Sequence, residues 1–182
     1  MPERLGTTSY AVLGLLTFGP QSGYDVLKLA EQSIAHFWSP AKSHVYTELR
    51  RLARLGLATE ERVQQESRPN KRVYAITDEG REVLELWLTE GPSEPDHVRS
   101  AFTVRMFFGN LASRSSIIAR VEEQRRNAER ILGELRAAET EIKDDDSLFF
   151  PYLTLKAGLA YSEAEIRWAD ETLVALRERE DA

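Results

Sequence analysis

The chain has no cysteine, and only two methionines and three histidines among its 182 residues. The lack of thiols excludes disulfides, thiolate metal sites and cysteine nucleophiles, and it fits a reducing compartment. The sequence also lacks a run of about 18 uncharged apolar residues, the length that a membrane span needs. Its first residues do not show the charged-then-apolar pattern of a signal peptide. We therefore expect a cytoplasmic protein without a membrane partner.

The three histidines give little support to catalysis. His36, His44 and His97 lie in different predicted segments. None of them belongs to a nucleophile motif, a phosphate-binding loop or a cluster with metal-ligand spacing. His36 ends a predicted helix, where capping is a simpler role than chemistry. We expect no enzyme, no catalytic residue, no metal and no cofactor.

Positive charge is concentrated in one part of an acidic chain. The formal net charge is −6, with 42% hydrophobic and 9% aromatic residues, enough for a packed core. Residues 42–72 nevertheless hold eight Lys or Arg against four Glu, a local charge of +4. A basic patch on an acidic body can still dock on a phosphate backbone.

The basic segment begins with a helix, predicted over residues 40–55, that has clear start and stop signals. Ser39 can accept hydrogen bonds from free N–H groups, and Pro40 suits the first helical position. Gly56 stands where a left-handed C-terminal cap would lie.

This helix has two different faces. One is an apolar stripe at helical spacing, formed by Val45, Leu49, Leu52 and Leu55. The other carries hydroxyls, cations and an aromatic ring, the groups that contact phosphates and base edges: Lys42, Ser43, Tyr46, Thr47 and Arg50. His44 is a plausible flanking contact. The segment is a candidate DNA-recognition helix.

The neighbouring segments complete a winged helix-turn-helix. Helices are predicted over 7–18 and 22–37, the second with Ser22 and Asp25 as a capping pair. Trp38-Ser39 is then a short turn into the recognition helix, as in a helix-turn-helix. Strands are predicted over 57–63 and 72–76.

The polar loop between the two strands is the predicted wing, residues 64–72. Its tip carries Arg68, Asn70 and Lys71, which could reach phosphates or a minor groove. A solvated hairpin tip is the simpler interpretation of such a loop alone. Its position directly after the recognition helix favours the wing.

The second half is predicted to be a pair of long helices. The expected organisation is a winged-helix domain at 1–90, a Gly/Pro-containing linker at 91–96 and a helical dimerisation domain at 97–182. A long helix opens at Ser115 or Ser116, and another opens at Pro151. The first has two rows of residues spaced by seven, a heptad seam: Val121, Ala128, Leu135 and Ile142, with Ile117, Gln124, Ile131 and Ala138.

The apolar surface of these helices looks too large for an antiparallel two-helix hairpin alone, so we expect a homodimer, with coiled-coil packing. Aromatic residues could also wall an apolar effector pocket, for which Tyr10, Trp87, Phe102 and Met106 are the candidates. Aromatic residues at helical spacing are also typical of plain core, and this alternative stays open.

The motifs together resemble the PadR family of transcriptional regulators, in the branch with a long helical C-terminal extension. The resemblance covers about residues 7–90. It includes Leu13-Gly-Leu-Leu16, Ser22-Gly-Tyr24, Phe37-Trp-Ser-Pro40, Val45-Tyr-Thr-Glu-Leu49, Leu52 with Leu55-Gly-Leu57, Arg72-Val-Tyr-Ala-Ile-Thr77 and Gly80. It implies a mainly α fold with a small β-hairpin and a homodimer with two winged helices. It also implies a repressor of pseudo-palindromic operators in double-stranded DNA, released by a small aromatic or apolar molecule. On this resemblance Tyr46, Lys42, Ser43 and Thr47 would meet DNA.

One alternative from another class remains at this point. A winged helix can serve as a protein-interaction or chromosome-structural module without sequence-specific DNA binding, and the acidic net charge is compatible with that. Salt-dependent retention on DNA would separate the two functions.

Overall fold

The computed structural model describes residues 5–35, 37–39, 41–64, 70–91 and 100–178. The chain forms two compact units, Met1–Pro95 and Asp96–Ala182. Apart from Gly91, the predicted linker at 91–96 lies outside the described residues. Within the described ranges, no helix combines the length and the apolar character needed to cross a membrane.

The first unit contains four helices and three strands among its described residues. They are α1 (Thr7–Leu16), β1 (Gln21–Ser22), α2 (Gly23–Ser33), α3 (Lys42–Arg54), β2 (Ala58–Val63), β3 (Lys71–Ile76) and α4 (Asp78–Glu90). This order, a helix-turn-helix followed by a hairpin and a further helix, confirms the predicted winged-helix fold. Both α1 and α2 end four or fewer residues before the predicted ends at Phe18 and Phe37.

The sheet has three strands, whereas the sequence predicted a two-stranded hairpin. The strand order is β1-β3-β2, and both pairings are antiparallel. β2 and β3 pair from Ala58 opposite Ile76 to Val63 opposite Lys71. Gln21 and Ser22 add the third strand against Tyr74 and Val73. Two residues are too few to show a period-2 pattern, which is why β1 left no signal in the sequence.

The core of the first unit is contributed by its four helices and the sheet. Its largest fully buried apolar side chains are Val12, Leu13, Leu16, Val26, Val45, Leu49 and Leu52. The predicted stripe on α3 is thus confirmed at three positions, and Leu55 packs partly buried at its end. Gly56 has a φ of 78°, the left-handed conformation predicted for the C-terminal cap.

The predicted start of α3 was wrong. The helix begins at Lys42, and its N-cap is Ala41, with φ −59° and ψ 139° and no side-chain cap. A capping side chain must come directly before the first helical residue, and Ser39 lies too early in the chain. Because Ala41 has only a methyl group, no side chain at the N-cap accepts a hydrogen bond from the first amide groups of α3.

Ser22 and Asp25 cap the start of α2, each side chain accepting the other residue's backbone N–H, as the sequence predicted. The N–H of Asp25 donates to Ser22 Oγ at 3.3 Å, while Asp25 Oδ2 accepts from the Ser22 N–H at 3.1 Å and from its hydroxyl at 2.7 Å. The hydroxyl of Ser22, and then its backbone N–H, lower the pKa of Asp25 below its usual value. Stabilisation by this carboxylate is therefore complete above the unfolded-state pKa of about 3.9 and is lost as pH falls through the folded-state pKa.

Asp25→Asn should consequently destabilise the protein at pH 7 but not at low pH. We expect a loss of about 0.5 kcal/mol in the free energy of unfolding, the low end for a helix cap, because Asp25 is exposed. The difference from wild type should shrink below pH 4, where the native carboxyl also becomes protonated. Urea denaturation of both proteins from pH 7 to pH 3 measures it. Glu31→Gln removes the same charge from α2 away from the cap, and a gap as large in that variant would contradict the assignment to capping.

The second unit is built on two long antiparallel helices. Its elements are α5 (Ala101–Phe107), α6 (Arg114–Ile142) and α7 (Phe149–Glu178), with 3-10 turns at Gly109–Leu111 and Asp146–Leu148. Ion pairs join α6 to α7 along their length, from Arg177–Glu122 at 3.0 Å through Arg125–Asp170 at 2.6 Å to Arg136–Glu163 at 3.1 Å. Residue numbers rise along one helix as they fall along the other, so the antiparallel arrangement is confirmed.

Both helices begin slightly earlier than predicted. Ser113, rather than Ser115 or Ser116, is the N-cap of α6, and its hydroxyl accepts from the Ser116 N–H at 3.3 Å. α7 begins at Phe149, which places Pro151 in the first turn, where its missing N–H costs no helical hydrogen bond.

The heptad seam on α6 is only partly the predicted one. Ile117, Val121 and Ala128 are buried as expected, but further along it is Leu132 rather than Ile131 that becomes buried. The remaining predicted positions are half-buried: Gln124, Ile131, Leu135, Ala138 and Ile142. The seam therefore shifts by one residue along the helix.

Candidate nucleic-acid interface

The polar face of α3 is exposed opposite its buried stripe. Val45, Leu49 and Leu52 are each 0% exposed, which fixes the rotation of the helix about its axis. The predicted contact residues on this helix are all exposed: Lys42, Ser43, His44, Tyr46, Thr47 and Arg50. Burial of one side thus leaves cations, hydroxyls and a tyrosine on a single accessible surface, the chemistry needed for a nucleic-acid contact.

Three polar residues fasten α3 to α1. Ser9 is 1% exposed, and its hydroxyl donates to Glu48 Oε1 at 2.5 Å. Arg51 Nη1 donates to the same Glu48 oxygen at 2.8 Å and to Ser9 Oγ at 3.2 Å. Sequence reasoning missed this cluster. The only signals of this cluster in the sequence were a serine within the apolar run of α1 and a Glu–Arg pair three residues apart on α3.

Tyr46 forms one wall of a cleft of about 440 Å³. The cleft lies where the start of α2, the middle of α3 and the start of β3 meet. Its lining residues are Ser22, Gly23, Tyr24, Tyr46, Arg50, Asn70, Lys71, Arg72 and Tyr74. The cleft brings the predicted Tyr46 and Arg50 together with the predicted Asn70 and Lys71, so helix and wing residues share one surface. Tyr24, 69% exposed, was not predicted.

The base of the wing is held by a polar group on the sheet. The hydroxyl of the buried Tyr74 donates to Glu60 Oε2 at 3.0 Å, and Arg72 Nη1 lies 2.8 Å from Glu60 Oε1. Burial, and then the hydrogen bond to Glu60, raise the pKa of Tyr74. Asn70 and Lys71 are exposed next to this group, whereas Arg68 lies outside the described residues.

A second groove, of about 330 Å³, follows the C-terminal half of α3. It is lined by Thr47, Arg50, Arg51 and Arg54. Arg54 is exposed and was not among the predicted contacts. The signal was present, because positions 47, 50 and 54 recur at helical spacing on one face.

The four effector candidates occupy aromatic or apolar contacts within their own units. In the first unit Tyr10 stacks on Trp87, with ring centroids 4.5 Å apart and planes 6° from parallel. In the second unit Phe102 meets Trp168 edge-on at 5.6 Å, and Met106 packs against the cluster around Val121 and Ala169. Both interpretations from the sequence, core packing and ligand contact, are compatible with these positions.

The helix-turn-helix, the hairpin behind it and the exposed polar face of α3 define a winged-helix protein with a helical C-terminal unit. Residues 12–86 match the Transcriptional regulator PadR-like family, and residues 98–177 match the domain described as Virulence activator alpha C-term. Residues 12–86 therefore form a domain of the PadR-like family of transcriptional regulators, which confirms the resemblance found in the sequence.

Relatives of known structure agree over nearly the whole chain. The negative transcriptional regulator PadR of Bacillus subtilis is 27% identical over 174 residues, which is 92% of this chain and 96% of the relative. The crystal structure of that regulator in complex with operator DNA superposes with a TM-score of 0.82, at 27% identity, over 94% of this chain and 99% of the other. Its complex with p-coumaric acid gives a TM-score of 0.74, at 28% identity, over 93% and 98%.

Proposed function

We propose that the protein is a dimeric regulator that binds a pseudo-palindromic operator in double-stranded DNA. The recognition helix, predicted at 40–55 and here α3, enters the major groove, and the wing at 64–72 follows the backbone. The observation that carries this proposal is the polar face of α3, exposed opposite a completely buried stripe and continuous with the wing through one cleft. The operator complex of the Bacillus subtilis relative supports it.

The proposed contacts divide by chemistry. Lys42, Arg50 and Lys71 neutralise phosphates, and Arg68 does so from the wing. Hydroxyl and amide groups reach base edges or sugar–phosphate oxygens, and we assign Ser43, Tyr46, Thr47 and Asn70 to this role. His44 stands at the edge of the same face and contacts the flank.

Homodimerisation is the second part of the proposal. It assigns 1–90 to DNA binding, 91–96 to a linker and 97–182 to dimerisation. The second unit exposes many large apolar side chains, which favours burial against a second copy. They are Val104, Phe107, Phe108, Leu111, Phe149, Phe150, Leu153, Tyr161, Trp168 and Val174. Phe107 and Leu111 are 81% and 82% exposed. Two-fold symmetry would present two α3 helices to two half-sites.

We further propose repression that a small aromatic or apolar molecule relieves. The relative described as a negative regulator, and its complex with p-coumaric acid, support this. Tyr10, Trp87, Phe102 and Met106 are the proposed effector contacts. Such a molecule acts only if it binds the DNA-competent and DNA-incompetent arrangements with different affinity. We also propose that the protein acts in the cytoplasm and works by binding rather than by catalysis.

Lys42→Ala and Tyr46→Ala test the placement of α3 on DNA. A duplex selected from a random library by the wild-type protein serves as the operator. Lys42→Ala should weaken binding to any duplex by a similar factor and reduce the salt slope by about one per lost phosphate contact. Tyr46→Ala should weaken operator binding by about tenfold or more, the typical result of losing a base or backbone contact in a desolvated interface. Fluorescence anisotropy across a salt series measures both.

The controls separate DNA contact from folding and assembly. Lys143→Ala removes one positive charge from the exposed end of α6 and should leave operator affinity unchanged. Sedimentation should show wild-type mass for all three variants. If neither Lys42→Ala nor Tyr46→Ala changes the affinity, α3 does not read DNA. If the wild-type dimer shows no salt-dependent retention on any duplex, the protein-interaction alternative takes its place.

A further inference from the structure

Gly23, the first residue of α2, lies against the ring of Tyr46. A Cβ atom at Gly23 would lie 2.3 Å from Tyr46 Cε1, 2.6 Å from Cδ1 and 3.2 Å from Cζ. Non-bonded carbon atoms in good contact lie about 3.5–4.0 Å apart. No other amino acid therefore fits at position 23 while the ring stays where it is.

The backbone gives no reason for glycine at this position. Among the described residues only Gly19 and Gly56 have positive φ, so Gly23 has a conformation open to other residues. Alanine would also favour the helix, because glycine loses more backbone entropy on folding. The three nearest atoms to the missing Cβ all belong to Tyr46. The closest steric conflict at position 23 is thus with that ring.

The Tyr46 ring, for which Gly23 leaves room, lines the cleft shared by α3 and the wing. Tyr46 is 38% exposed, so part of its surface faces solvent while the edge formed by Cδ1, Cε1 and Cζ is covered by α2. Its hydroxyl makes no hydrogen bond with any residue that the structure describes, which leaves a donor and an acceptor for a ligand. Arg50 and Lys71 line the same cleft and supply positive charge beside it.

We propose that Gly23 is a positioning residue that determines DNA specificity through Tyr46. This inference rests on the proposed function. The bare Cα of Gly23 lets the ring pack against the start of α2, so the hydroxyl is held in place before DNA arrives. Less side-chain freedom is then lost on binding, and the contact is restricted to one geometry. A methyl group at position 23 forces the ring to rotate away, while the fold keeps its core and its helix cap.

A double-mutant cycle with Gly23→Ala and Tyr46→Ala tests this role. We expect Gly23→Ala alone to weaken binding to the selected operator by about tenfold, the loss of roughly one well-placed hydrogen bond. Binding to an unrelated duplex should change less than about twofold, because phosphate contacts supply most non-specific affinity. In the Tyr46→Ala background, the same Gly23→Ala change should have an effect of less than about twofold, because the clash has gone. Gly133→Ala, where a Cβ meets nothing within 4 Å, is the matched control and should leave both affinities unchanged.

The outcomes distinguish this inference from the proposed function. If Tyr46→Ala weakens operator binding but Gly23→Ala does not, the positioning role is wrong and the placement of α3 survives. If Gly23→Ala costs the same in both backgrounds, its effect is structural and the inference is also overturned. If Tyr46→Ala itself changes nothing, the proposed contact fails and the positioning role fails with it. The thermal unfolding midpoint of Gly23→Ala should equal or exceed that of wild type, and a clear fall would likewise assign the residue to folding.

Discussion

Leu49→Ala is expected to lower the free energy of unfolding by about 2–5 kcal/mol, the range for truncating a buried leucine. Leu49 is 0% exposed at the centre of the stripe that seats α3 on the rest of its unit. α3 packs against α1, α2 and β2, so the cavity left by the missing atoms has walls from several elements. Such walls cannot all move inward together. The expected loss is therefore larger than the free energy of transferring the removed atoms from the protein interior to water. Thermal and urea unfolding followed by circular dichroism measure it.

Leu88→Ala is the matched control for this loss. Leu88 is 68% exposed on α4, so the same atoms are removed without opening a cavity. We expect a change within about 0.5 kcal/mol, as for most surface substitutions. Equal losses in the two variants would contradict the burial of α3. DNA binding by Leu49→Ala should fall in proportion to the unfolded fraction, because the fully buried Leu49 side chain cannot itself contact DNA.

The pattern of α3 was predictable because burial and exposure there follow from a local period. Val45, Leu49 and Leu52 repeat at helical spacing, and this single fact oriented Tyr46 and Arg50 correctly toward solvent. The helix start was not predictable to the residue. Ser39 and Pro40 have the right chemistry for a cap, yet the chain starts the helix after Ala41, which has none.

Contacts between elements far apart in the chain left weaker signals. The Ser9–Glu48 hydrogen bond joins residues 39 positions apart, and the approach of Gly23 to Tyr46 joins α2 to α3. The partner of neither residue can be predicted from its type, because a serine in an apolar helix and a glycine after a helix cap each have ordinary local explanations. Only the packing of α1 and α2 around α3 gives these positions their roles.

The long helices show a different limit. A strict seven-residue repeat predicted Val121 and Ala128 as buried, and they are. An ideal straight α-helix drifts by about 20° per heptad relative to such a repeat, which is about 40° over the two heptads from Ile117 to Ile131. The change from Ile131 to Leu132 as the buried residue fits this drift. The burial of seam positions near the start of a long helix can therefore be predicted more reliably than the burial of those further along.

Gly80→Ala is expected to have the second largest effect on stability. A Cβ at Gly80 would lie 2.1 Å from the carbonyl oxygen of Leu57 and 3.0 Å from Ile76 Cγ1. The Leu57 oxygen is not free to move, because it accepts the Thr77 N–H at 3.2 Å. Thr77 also caps α4 by accepting the Gly80 N–H at 3.0 Å, and its hydroxyl donates to the Gly56 oxygen at 2.8 Å. The methyl group must therefore break a set of hydrogen bonds that joins α4 to the start of β2.

We expect a loss of about 1–3 kcal/mol or more in the free energy of unfolding, the range for overpacking against parts that cannot yield. Gly133→Ala is the matched control, because a Cβ there meets nothing within 4 Å and the residue lies inside α6. That variant should instead gain about 0.5–1 kcal/mol from helix propensity. Calorimetry measures the change in the free energy of unfolding for each variant, and the two changes should have opposite signs. Equal signs would mean that α4 does not press its backbone against Leu57.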